Sequence, residues 1–148
     1  SSLQLTSASA LDMFLSQTKQ ASGAGKSRII LEIDWADMAA AEAPLPLDRL
    51  KSAGIRLSLR GVPLSRLSCK TISGLPVDFI HTEAHPRMGK WSPPEQEELR
   101  QAIKKLGVFR VIMSGCDNAE MLSAAQSFGV ILFVQPCDID ERIAAAQA

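Results

Sequence analysis

Four times in this chain a stretch of helical spacing stops at a single glycine, and an apolar run follows within a few residues: at Gly54, Gly74, Gly107 and Gly129. A glycine accepts the left-handed backbone that ends a helix, so the chain can turn straight back toward a sheet. Apolar runs at residues 3–5, 28–34, 55–59, 77–80, 108–113 and 130–134 read as six strands alternating with helices. That alternation predicts an α/β fold with a parallel sheet. The continuous Ile29–Ile30–Leu31 run has the character of a strand buried on both faces. On pattern alone, an open doubly wound sheet and a (β/α) barrel fit equally well.

The helices carry their own start signals. Leu11, Phe14, Leu15 and Thr18 line one face of a first helix. Residues 35–47, alanine-rich and broken by Pro44 and Pro46, read as a short helix or loop leading to a helix over 47–53. Leu64, Leu67, Thr71 and Ile72 recur at helical spacing up to Gly74. Ser92-Pro93-Pro94-Glu95 supplies an N-cap, a proline in the first turn and a capping glutamate. Leu99, Ala102, Ile103 and Leu106 then form a buried face. Asp117 to Glu120 reads as a second capping box, ahead of Met121, Leu122, Ala125 and Phe128, and residues 138–146 as a terminal helix.

At 148 residues the chain has the length of one domain, residues 1–148, with enough sequence to bury a core. Sixteen basic and sixteen acidic residues cancel, which argues against a nucleic-acid or anionic-membrane partner. The longest purely apolar run, residues 130–134, is far too short to span a bilayer, and no signal peptide is visible. Cys69, Cys116 and Cys137 have no C-x-x-C spacing and read as reduced thiols of a cytoplasmic protein, not as a zinc site.

The centre of the chain is residues 54–83, a strand-helix-strand unit. Chemistry in such units sits just past the strand ends, here residues 60–63 and 81–83. This stretch resembles the middle of an EAL domain, the bacterial family that hydrolyses cyclic di-GMP. Residues 54–59 are similar to the start of the family's central motif, and Leu75-Pro76-Val77-Asp78 matches its L-P-V-D without a gap. The resemblance implies an incomplete (β/α) barrel of about six β/α units, the C-terminal three quarters of the family domain. The first two strands, including the one bearing the E-A-L signature, have no counterpart.

The family site holds two divalent metals on carboxylates and an asparagine. Carried over by position, Glu32 keeps the family's metal-binding glutamate and Gln4 stands at the asparagine. Arg60 and Gly61 replace the paired aspartates, His81 the lysine, and Glu83 the final aspartate. Ser114 and Asp117 stand at the two glutamates of a later motif, and Gln135 opens what remains of the Q-G-Y motif. An arginine on a metal-ligand position puts a permanent cation on the ion's own site. These substitutions imply no catalytic residues, no metal, no cofactor and no cyclic di-GMP binding. The expectation is an inactive EAL-like domain acting as a regulatory or protein-interaction module, through a protein partner or self-association. The alternative is a nucleotide sensor or phosphodiesterase with a remodelled mouth of Glu32, His81, Glu83, Asp117 and Gln135.

His81 and His85 bracket Glu83, but Pro86 follows at once. In an extended segment, residues four apart lie roughly 13 Å from each other, so the zinc-protease spacing does not apply. Trp35 and Trp91 read as packing over the barrel rim more readily than as partner anchors. Arg49, Lys51, Arg56 and Arg66 read as a solvated face. Arg60 is expected to pair with Glu32, with Asp34 or Glu83 in reach. The outer strands, residues 3–5 and 130–134, are expected to have their free edges covered.

Overall fold

The computed structural model describes residues 12–13, 15–17, 30–41 and 44–134. Five strands, β1 (Ile30–Asp34), β2 (Arg56–Val62), β3 (Phe79–Glu83), β4 (Val111–Ser114) and β5 (Leu132–Phe133), form one sheet. Every pairing is parallel, and the strands lie side by side in chain order. Between them run α1 (Trp35–Ala40), α2 (Leu47–Ser52), α3 (Lys70–Ser73), α4 (Pro93–Leu106) and α5 (Ala119–Ser127). The chain is therefore α/β with an all-parallel sheet. Its described strands show no reversal of order, the feature that marks the switch point of a doubly wound sheet. Among the described residues the sheet does not close, and β1 and β5 are its edges. The strand expected at residues 3–5 and the helix expected at 138–146 lie outside the described residues.

Right-handed crossovers between strands laid down in sequence put the connections on one face of the sheet. Burial follows that rule. Leu57, Leu59, Ile80, Val111 and Met113 alternate onto one face and are fully buried. They share a single core with Leu50 of α2, Ile72 of α3, Ile103 of α4 and Ala125 of α5. The opposite face carries Ile30, Phe79, Ile112 and Leu132, none of which belongs to that core, and Ile30 is 50% exposed.

The helix signals hold best where caps and periodicity agree. In α4, Ser92 and Glu95 form the reciprocal capping box, and Gly107 ends the helix at φ 107°. Elsewhere the structure corrects the sequence reading. Gly61 does not stop β2: it sits inside the strand at φ 72°, in a bulge across which the pairing passes from Leu59↔Ile80 to Val62↔Thr82. The extra residue returns Val62 to the buried face. The helix expected from Leu64 to Gly74 is two pieces, a 3-10 turn at Leu64–Arg66 and α3, separated at residues 67–69. The cap of α5 is Asn118, whose side chain accepts from the Met121 N–H, one residue later than the expected box at Asp117. The last strand shrinks from residues 130–134 to Leu132–Phe133.

Candidate functional site

In a parallel α/β fold the C-terminal strand ends, where loops leave the sheet, are the place to look for function. Here β1 delivers Glu32 and Asp34, β2 delivers Arg60, β3 delivers His81 and Glu83, and β4 delivers Ser114. The β1–β2 register sets Asp34 directly opposite Arg60, while Glu32 lies opposite Ser58, two residues back. All four of these side chains alternate onto the face that the core does not use.

The register decides the electrostatics. Arg60 Nε donates to Asp34 Oδ1 at 3.1 Å, and its Nη2 donates to Asp34 Oδ2 at 3.3 Å, a two-pronged pair. Glu32 Oε2 lies 3.9 Å from Arg60 Nη1, an ion pair without a hydrogen bond. The expected Arg60–Glu32 pairing is thus corrected: Asp34 is the principal partner and Glu32 the flanking one. The hydrogen bonding to Asp34, then the charges of Asp34 and Glu32, raise the guanidinium pKa above its ordinary value. All three side chains are about half exposed, so the cluster is wet and not a sealed ion pair.

The remaining expected positions do not join this cluster. No hydrogen bond or ion pair links His81, Glu83, Ser114 or Asp117 to Glu32, Asp34 or Arg60 among the described residues. His81 Nε2 is buried without a described hydrogen-bond partner. Glu83 lies across Gly115, where an added Cβ would stand 3.2 Å from Glu83 Cγ. The φ of 76° at Gly115 disfavours a side chain independently. Among the described residues Ser114 Oγ reaches only the Thr82 carbonyl, at 3.5 Å, and Asp117 is exposed in the loop before α5. Gly61, on the bulge, presents no side chain. Gln4 and Gln135 lie outside the described residues.

A divalent metal would need several of these oxygens free and converging. The two carboxylates that do converge are already engaged by a guanidinium, and no group of three His, Cys, Asp or Glu side chains could hold an ion among the described residues. His85 packs at a tilt against Trp91, ring centroids 5.5 Å apart, and its Nδ1 accepts from the Arg87 N–H, so it does not turn toward His81. The described residues do not fit the metal pair that the resemblance implies.

Three side chains matter more than the sequence suggested. Thr82, fully buried, donates its hydroxyl to the Val62 carbonyl at 2.6 Å and so supports the bulge. Lys51, expected on a solvated face, instead pairs with Asp78 at 2.7 Å. Asp78 also accepts from the Leu57 N–H at 2.8 Å, tying the starts of β2 and β3 to α2. Burial pushes the Asp78 pKa up, but the hydrogen bonds from Lys51 and Leu57 outweigh it and hold the carboxyl below its ordinary value. Cys69 and Cys116 are free thiols, and Cys137 lies outside the described residues. No described helix is long and apolar enough to cross a membrane.

No family model matches the chain, and no curated protein matches it.

Proposed function

We propose that this chain is a catalytically inactive, EAL-like incomplete (β/α) barrel that works as a regulatory or protein-interaction module in bacterial cyclic di-GMP signalling. The observation that carries the reading is the place of Arg60. Where the resemblance puts a metal-binding aspartate, a guanidinium is seated on Asp34 and flanked by Glu32. It supplies the positive charge that the carboxylates would otherwise take from an ion, and it cannot activate water as a metal does. Strands laid down in chain order without reversal support the barrel type of winding. A parallel sheet is normally covered on both faces, and here the second face keeps Ile30 half-exposed, which suits a partner surface. On this reading the module is cytoplasmic. Calorimetry with cyclic di-GMP in the presence of Mg²⁺ or Mn²⁺, followed by product analysis, is the test. Neither binding nor turnover is expected, and micromolar binding or any hydrolysis would overturn the proposal.

A further inference from the structure

Away from the strand ends, a groove of about 220 Å³ lies between the 3-10 turn that follows β2 and the first half of α4. Its floor is apolar: Leu64, Leu99 and Ala102 are all buried there. Trp91 forms one wall. Glu95 and Glu98 project from α4 into the same groove as Leu99 and Ala102, the i, i+3, i+4, i+7 stripe of one helix face. Ser65 and Ser68 complete the rim. The lining therefore holds two carboxylates, an indole and two hydroxyls, and no lysine or arginine.

Neither carboxylate is neutralised. Glu95 Oε2 accepts from the Ser92 N–H and hydroxyl, and Glu98 Oε1 accepts from Ser68 Oγ at 2.9 Å. No described cation forms an ion pair with either, whereas the neighbouring Glu97 is paired with Arg100. Each carboxylate keeps a second oxygen for a ligand. The size limits what that ligand is: pockets for drug-sized molecules run from about 300 to 1,000 Å³, so this one suits a single side chain and not a dinucleotide. A flat cation that stacks on an indole while donating to carboxylates is a guanidinium.

We propose that this groove receives an arginine side chain from a short segment of a partner protein, with the guanidinium between Trp91 and the Glu95–Glu98 pair and the alkyl stem over Leu99 and Ala102. This rests on the reading of the chain as a protein-interaction module and names the chemistry of one contact. The probe is a capped Leu-Arg-Leu tripeptide, with its citrulline counterpart as an uncharged isostere, followed by ¹H–¹⁵N NMR on the full chain. Saturable shifts centred on the Trp91 indole, Glu95 and Glu98 are expected with the arginine peptide. They should weaken at least tenfold with citrulline, with Trp91→Leu and with Glu98→Gln, and weaken with added salt. Melting curves of both variants separate lost binding from lost folding, and Lys105→Ala, at an exposed position of α4 outside the groove, serves as a variant expected to bind nearly normally. No saturable shift at millimolar peptide, equal binding of the citrulline peptide, or undiminished binding by folded Glu98→Gln each overturns the proposal. A second copy as the occupant would show instead as concentration-dependent shifts without peptide, which also overturns it. Cyclic di-GMP titrated in parallel reads the mouth separately, so failure of the groove and failure of the inactive-domain reading give different results.

Discussion

Strand β2 is held at both ends by an ion pair, and the two ends differ in kind. At its start, Asp78 takes the Leu57 backbone N–H and the Lys51 ammonium together, with side chains only 27% and 35% exposed. At its far end, Arg60 spans Asp34 and Glu32 with side chains 53%, 44% and 58% exposed and no backbone group involved. The first arrangement gives a backbone N–H of the strand its acceptor and ties the preceding helix to it. The second neutralises charge on a surface that water also reaches, where such pairs add little to stability. The same chemistry is therefore structural at one end and a matter of site character at the other.

The core between the two ends sets the scale. Leu59 is fully buried in β2, and Leu59→Ala should destabilise by about 2–5 kcal/mol, whereas Ile30→Ala on the open face should change little. Denaturant melts of the two variants compare the faces directly, and equal losses would mean that the open face is packed as tightly as the core.

Asp78→Asn should cost about 1–3 kcal/mol, because a neutral amide removes the charge that Lys51 pairs with and leaves one acceptor oxygen where Lys51 and the Leu57 N–H now share two. Its pH dependence has a defined sign. A folded-state pKa below the ordinary value stabilises the fold above the unfolded pKa, near 3.9, and that contribution is lost as pH falls through the folded value. The wild type should therefore lose more stability than Asp78→Asn as pH drops below about 4. Parallel acid-unfolding curves would remove Asp78 from this role. Arg60→Ala should be as mild as Ile30→Ala, with a melting temperature close to that of the wild type and a difference from it that added salt does not change. A large loss would show that the far end is structural after all.

Much of this was readable from residues whose local chemistry decides their structure. The Ser92–Glu95 box and Gly107 bound α4 without help from the rest of the chain. The β-α-β order followed from short apolar runs between glycines. Register was not readable, because neither Glu32 nor Asp34 signals which of them will stand opposite Arg60; only the β1–β2 pairing settles that. The bulge at Gly61 looked like a strand end, since a glycine inside a strand and one beyond it give the same pattern. The break at Cys69 in the expected Leu64–Gly74 helix, and the inward turn of Lys51, depend on tertiary partners that periodicity does not contain.

The central claim is that Arg60 stands where a metal would otherwise be held. Mn²⁺ titrated into the wild type and into Arg60→Asp, followed by electron paramagnetic resonance, tests it most directly. No saturable binding is expected to the wild type at millimolar metal, and at least tenfold tighter binding to Arg60→Asp, which removes the guanidinium and restores a third carboxylate beside Glu32 and Asp34. Micromolar binding by the wild type, or no gain in the variant, would contradict it.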